Sequence, residues 1–232
     1  HMVFSGNPGT GKTTVGRLIT DIFYNLGYIN QNKLTEVTAK DLIAEYVGQT
    51  AGKTFNVVKA ALGGVLFIDE AYMMTMGNEE GAQYGYEAIA TLLTLMEDYK
   101  DKLIVIFAGY KEEMEHFQEA NPGLVSRIGY NINFPDYTLD ELTQIYLNLL
   151  EKNKLKITDE ALEKLKKIIK ESSLFKEFGN ARYINTVFQK VLIEHSKNIE
   201  CENKKKNLLL ITENDINYEK LIAENKKKKI GF

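Results

Sequence analysis

Eight residues near the start of the chain, Gly6-Asn7-Pro8-Gly9-Thr10-Gly11-Lys12-Thr13, have the types and spacing needed to hold a polyphosphate. They fit the pattern G-x-x-x-x-G-K-[ST], placed between a short apolar run and a helical one. Glycines let the backbone curl until several N–H groups point at one phosphate, and the helix that follows adds its positive end. Lys12 supplies a point charge to the β- and γ-phosphates, Thr13 a hydroxyl for Mg²⁺, and Thr14 completes the nucleotide-binding stretch. From average residue frequencies a chance match in a chain this long has odds of about one in a hundred.

Phosphate chemistry also needs a group to hold the metal and one to activate water. Gly64 to Ile68 is an apolar run ending in Asp69-Glu70, 56 residues beyond Thr13. Asp69 is expected to hold Mg²⁺ through water, and Glu70 to act as base toward the attacking water. Neither a D-x-x-G second motif nor an N-K-x-D guanine motif accompanies the loop, so ATP is favoured over GTP.

The elements that must carry these residues follow from periodicity. Strands are predicted at Met2–Ser5, Leu34–Thr38, Gly64–Ile68, Leu103–Ala108 and Tyr130–Phe134, with helices at Thr13–Leu26, Thr50–Leu62 and Tyr86–Tyr99. Continuous apolar strands alternating with helices indicate a parallel sheet covered on both faces. All three prolines, Pro8, Pro122 and Pro135, fall in this half, and the rest reads as helical. Thr138 with Glu141 forms a capping box for a helix through Leu150, Thr158 opens another, and Asn180–His195 is a third. Leu208–Ile211 reads as a short strand, and Thr212 with Asp215 as the cap of a final helix to about Asn225. The boundary is placed at Pro135-Asp136.

Of the 232 residues, 44% are hydrophobic and 26% charged, which suits a globular protein with a real core. No apolar stretch is long enough to span a membrane. One cysteine, Cys201, excludes an internal disulfide and fits a reducing, cytoplasmic setting. A net charge of −3 argues against a general nucleic-acid binder. Residues 1–135 hold 10 Lys+Arg against 16 Asp+Glu, and the remainder 19 against 16. The basic excess lies in Lys204-Lys205-Lys206 and Lys226 to Lys229, read as solvated tails, with an acidic partner as the alternative. His1-Met2 stands directly before the first strand, so the chain is expected to be a fragment.

The order of motifs resembles an AAA+ module, and more narrowly the CbbX/CfxQ and stage V sporulation protein K family, which includes type VII secretion ATPases. The resemblance rests on residues 1–14, Glu45 to Ala51, Leu62 to Tyr72, Val105 to Tyr110, Asn121 to Arg127, Phe134 to Tyr137 and Gly179-Asn180-Ala181-Arg182. It implies an α/β fold: an AAA+ P-loop module (1–135) with a parallel five-stranded sheet sandwiched by helices, then a small α-helical lid (136–232). It also implies roles at matching positions. Arg127 falls at the arginine finger, which reaches a neighbouring subunit's γ-phosphate; the alternative is a surface arginine capping a nearby helix. Arg182 resembles sensor 2, touching the nucleotide from its own chain. Tyr46-Val47-Gly48 resembles the tip of a pore loop that grips an extended polypeptide, the alternative being a tyrosine packed beneath a loop. Gly77 to Gly85 reads equally as a second pore loop or a linker. Sensor 1 stays open, because Ala108-Gly109-Tyr110 stands where many relatives carry Asn or Thr.

The expected function is an ATPase using ATP and Mg²⁺. It is expected to form a homo-oligomeric ring, hexameric by resemblance, that remodels or threads a protein client without membrane or nucleic acid. The alternative of another class is an AAA+ switch or loader acting on nucleic acid, which would call for a basic pore. A nucleotide-binding scaffold with little turnover is disfavoured by the presence of both Lys12 and Glu70. Rubisco activation, sporulation and secretion all remain open as the process served.

Overall fold

Five short runs build one sheet: β1 Met2–Gly6, β2 Leu34–Thr38, β3 Val65–Asp69, β4 Ile104–Gly109 and β5 Tyr130–Phe134. All pairings are parallel, in the order β2-β3-β4-β1-β5. The three interior strands are the continuously apolar ones, because both their faces are covered. The edge strands β2 and β5 keep polar residues such as Glu36, Asn131 and Asn133. This computed structural model describes residues 1–76, 79–175, 178–202, 208–219 and 221, excluding the side chains at 79–82 and 200–202. It divides into two compact units, His1–Asn7 with Gly11–Pro135, and Pro8–Thr10 with Asp136–Phe232.

In the first unit, alternation along each strand sends neighbouring side chains to opposite faces. Val3, Leu66, Ile68, Val105 and Phe107 join one core. Phe4, Val65, Phe67, Ile106 and Ala108 join the other. Val15, Ile19 and Phe23 of α1 (Lys12–Asn25) cover the second core. Gly16 allows that close approach, since a Cβ there would lie 3.0 Å from the Phe67 ring. The first core is covered by α2 (Ala39–Leu42), α3 (Thr50–Ala61), α4 (Glu79–Asp98), α5 (Lys111–Glu119) and α6 (Pro122–Val125).

Three expectations change here. Strands β1, β3 and β4 each run one residue further than predicted, to Gly6, Asp69 and Gly109. Helix α4 begins at Glu79, not Tyr86, so residues 79–85 are neither pore loop nor linker; Gly77 and Asn78 lie outside the described residues. Gly85 is a packing glycine, because a Cβ on it would lie 1.7 Å from the Met74 carbonyl oxygen. Helix α5 is absent from the predicted elements, since Met114 and Phe117 are its only buried anchors, too sparse a stripe to read.

The second unit contains α7 (Leu139–Lys152), β6 (Lys156–Ile157), α8 (Asp159–Ser173), α9 (Asn180–Glu202) and β7 (Leu210–Ile211). Thr138 and Glu141 form the expected capping box, and Thr158 caps α8 by accepting from the Ala161 N–H. Tyr146, Leu165, Ile168, Ile184, Val187 and Phe188 meet in its core. Of the short parallel pair β6 and β7, only the second strand is among those predicted. Helix α9 runs past His195 to Glu202, because His195 is a buried tie rather than an end. Its Nδ1 lies 3.0 Å from Asp215 Oδ2, and its Nε2 lies 3.2 Å from the Leu208 carbonyl. Thr212 and Asp215 form a capping box that closes a 3-10 turn, Glu213–Asp215; Ile216 is extended, helical backbone resumes at Tyr218, and residues 220 and 222–225 of the predicted helix lie outside the described residues. The lysine runs at 204–206 and 226–229 lie outside the described residues, as does the Cys201 side chain.

The contact at Gly85 gives a direct test. Gly85→Ala is expected to destabilise the first unit by about 2 kcal/mol, through overpacking against backbone that cannot retreat. Thermal melting followed by circular dichroism should fall by about 4–8 °C for a chain of this size.

Candidate functional site

Strand β1 delivers the chain to the phosphate loop through Gly6 (φ +154°). A Cβ at this position would lie 2.3 Å from the Phe134 carbonyl oxygen, so the neighbouring β5 leaves room only for glycine. Gly11 (φ +94°) turns the chain into α1, whose N-terminus carries neither a side-chain cap nor an acidic residue in its first turn. Such a helix start offers N–H donors and the positive end of its dipole to an anion. Lys12 opens the helix and donates from Nζ to the carbonyls of Gly6 at 2.7 Å and Asn7 at 2.9 Å. Thr13 follows half-buried, and Thr14 is exposed.

The loop tip, Pro8–Thr10, belongs to the second unit and is fastened there at three points. The Ala181 N–H donates to the Gly9 carbonyl at 3.1 Å. Asn180 Nδ2 donates to the Pro8 carbonyl at 3.3 Å, and the Tyr137 hydroxyl to the Thr10 carbonyl at 3.1 Å. Gly9 (φ +72°) is hemmed in, since a Cβ would lie 2.2 Å from the Gly179 carbonyl oxygen and 3.2 Å from Arg182 Cβ. Arg182 itself is exposed, two residues beyond Asn180. Asn180 is fully buried at φ +47°. Its Oδ1 accepts from the Tyr137 N–H, and its Nδ2 also donates to Asp136 Oδ1 at 2.8 Å. The sequence reading assigns Asn180 and Tyr137 no individual role. The available signal is the Gly179-Asn180 pair before a helix, since asparagine tolerates the left-handed region.

Strand β3 ends on the two carboxylates. Asp69 is half-buried and accepts from the Glu70 N–H at 3.1 Å. Glu70 is exposed and left-handed (φ +51°, ψ +41°), a conformation costing a non-glycine residue about 1–2 kcal/mol. The 3-10 turn Ala71–Met74 holds it there, with the Met73 N–H donating to the Glu70 carbonyl. Tyr72 in that turn is buried, and burial, reinforced by the Glu70 charge, pushes its hydroxyl up to about 12. Its ring packs on Tyr110, centroids 5.8 Å apart. Tyr110 follows β4, which lies between β1 and β3, so the open sensor position falls between phosphate loop and carboxylates.

Arg127, just after α6, is about one-third exposed. Its Nη1 donates to the Gly123 carbonyl at 3.1 Å, and its Nε lies 3.7 Å from Glu97 Oε2. Within one chain it therefore serves a short helix, in line with the alternative reading. Tyr46 and Val47 project from a loop before α3, 67% and 82% exposed, and Gly48 (φ +76°) turns the loop back. Tyr46 is thus not packed beneath a loop.

Among the described residues, no three or more His, Cys, Asp or Glu side chains converge as a metal cage. The hard oxygen donors Thr13 and Asp69 suit Mg²⁺, which keeps waters and shares substrate phosphates rather than filling a cage. Among the described residues, no helix is long and apolar enough to cross a membrane.

Comparison with known proteins agrees with this geometry. Residues 2–136 match the family model "ATPase family associated with various cellular activities (AAA)", and residues 138–228 match an AAA lid domain. A CfxQ homolog of Galdieria sulphuraria is 44% identical over 220 residues, covering 93% of this chain and 72% of the relative. A chloroplastic ribulose bisphosphate carboxylase/oxygenase activase of Cyanidioschyzon merolae is 44% identical over 206 residues, covering 89% and 70%. The plasmid-borne CbxX protein of Cupriavidus necator is 43% identical, covering 86% and 62%. Among solved structures, the FIGL-1 AAA domain with ADP aligns at TM-score 0.62 and 20% identity, covering 99% of this chain and 77% of that one. A RuvB mutant of Thermotoga maritima aligns at 0.65 and 18%, covering 97% and 61%. Both show likeness of fold. The chain belongs to the AAA family, and is a nucleotide-binding ATPase of its CfxQ/CbbX branch with the family's α/β domain and lid.

Proposed function

We propose that copies of this chain assemble into a ring, of the hexameric kind, in which ATP hydrolysis remodels or threads a protein client. The observation that carries this reading is the exposed Tyr46-Val47 tip, two large apolar side chains standing in solvent on a glycine-turned loop. An aromatic paddle of this type holds a polypeptide by apolar contact without reading its sequence. The activase named among the relatives supports a protein as client. Glu45 beside Tyr46 disfavours a nucleic-acid backbone at the same place.

In this reading Lys12 and the loop N–H groups bind the β- and γ-phosphates of ATP. Thr13 and Asp69 would hold Mg²⁺, which neutralises phosphate charge when bound. Glu70 accepts a proton from the attacking water; it stands exposed at the end of β3 in a left-handed conformation. Arg182, exposed just beyond Asn180, is assigned to the phosphates of its own chain by the family resemblance. Arg127 leaves Gly123 and Glu97 to stabilise transition-state charge in a neighbouring subunit.

ATPase activity per subunit should rise with protein concentration as the ring forms. Arg127→Ala should lower turnover about 10³-fold in assembled protein with nucleotide affinity nearly intact. Equal turnover in that assembled variant would remove the finger role. Glu70→Gln should bind ATP and stall, measured as retained nucleotide binding with turnover lost; undiminished hydrolysis would contradict the base assignment.

A further inference from the structure

The Tyr46-Val47 tip stands on a mount built from the first turns of α3. Lys53 Nζ donates to the carbonyls of Lys40 and Ile43, both at 2.7 Å. One residue on, the buried Thr54 hydroxyl donates to the Leu42 carbonyl at 3.0 Å. The buried Thr50 hydroxyl accepts from the Ala44 N–H at 3.2 Å. Four backbone groups at positions 40, 42, 43 and 44 are thus fixed by three side chains on one face of α3. Beyond Ala44 the chain leaves the surface, exposes Tyr46 and Val47, and returns through Gly48 to close with a Gln49 N–H to Tyr46 carbonyl bond at 3.3 Å.

Lysine is suited to this post. Its ammonium carries three donors on a flexible stem and can satisfy two carbonyls left open where α2 ends. The two threonines work from inside: both hydroxyls are sealed from water, so their bonds meet no solvent competition. The result is a free tip on a fixed shoulder, and that matters mechanically. A force applied at Tyr46 displaces the shoulder unless the shoulder is tied to a helix that packs into the core, as α3 does through Val58 and Ala61.

We infer that Lys53, with Thr50 and Thr54, is the positioning device that transmits force between α3 and the Tyr46-Val47 tip. The inference rests on the client-gripping reading of that tip, and its test separates the two. The chain contains no tryptophan, so Tyr46→Trp gives a single indole reporter at the tip. In that background Lys53→Met, which keeps the aliphatic stem, should lower the fluorescence anisotropy of the indole and raise its acrylamide quenching about twofold. Lys53→Arg should restore both values.

In the parent background, Lys53→Met should leave basal ATPase within about twofold and abolish its stimulation by casein, used as an unfolded polypeptide, as Tyr46→Ala does. Thr54→Val should act like Lys53→Met, and Thr54→Ser should not. An unchanged indole signal in the Lys53→Met reporter protein overturns the mount. So does a Lys53→Met protein that casein stimulates normally while Tyr46→Ala is unresponsive. Normal stimulation of Tyr46→Ala overturns the gripping reading instead, and the inference falls with it. Circular dichroism melts within a few degrees of the parent exclude general unfolding as the cause.

Discussion

At the end of β1 the backbone of Gly6 runs so close to β5 that a Cβ would sit 2.3 Å from the Phe134 carbonyl oxygen. That closeness is a consequence of parallel pairing on both sides of β1, Ser5 against Gly109 and Gly6 against Phe134. Parallel strands place their carboxyl ends on one edge, and ligands of open α/β sheets bind there. The phosphate loop, Asp69-Glu70 and Tyr110 share an edge for this reason, although they are far apart in sequence. Side chains do not need to seek one another across the fold; the sheet delivers them. The remaining local devices serve that delivery. Gly11 starts α1, Gly16 lets it lie on Phe67, and the 3-10 turn after β3 holds Glu70 in its left-handed state.

Much of this was legible because it depends on local chemistry. The interior strands announce themselves as unbroken apolar runs, since burial on two faces leaves no polar positions. Lys12, Thr13, Asp69 and Glu70 were readable from spacing and from the strand that precedes each motif. What escaped depends on contacts between distant segments. Gly85 reads as part of a flexible glycine-rich stretch, but its lack of a side chain answers to Met74, eleven positions away and across a helix–turn contact. Asn180 reads as an ordinary helix start. Its buried amide in fact ties Pro8, Asp136 and Tyr137 together, a role no local pattern encodes. The Thr212–Asp215 box forms as expected, and its Asp215 is also engaged by His195 and Asn198, contacts that no local pattern encodes.

The two halves of the proposed activity differ in how they are held. The hydrolytic residues sit on rigid strand ends, with backbone strain accepted at Glu70. The client-facing residues, by contrast, project from a loop held by its shoulder and by the Gln49–Tyr46 turn bond. Arg127 occupies a third position, held within its own chain by a carbonyl at Nη1 and a carboxylate 3.7 Å from its Nε, which makes no hydrogen bond. An ion pair of this exposure contributes little, about 0–1 kcal/mol, so exchanging it for a neighbour's phosphate costs little. This weak hold suits a group that must change partners on assembly.

The most direct test of a site shared between subunits is complementation in mixed assemblies. Arg127→Ala and Glu70→Gln, each inactive alone, would be combined over a range of ratios and ATP turnover followed. An Arg127→Ala subunit keeps Glu70 and can borrow Arg127 from a Glu70→Gln neighbour, so the account predicts turnover that peaks at intermediate ratios. Mixtures that co-assemble and stay as inactive as either variant alone would contradict it.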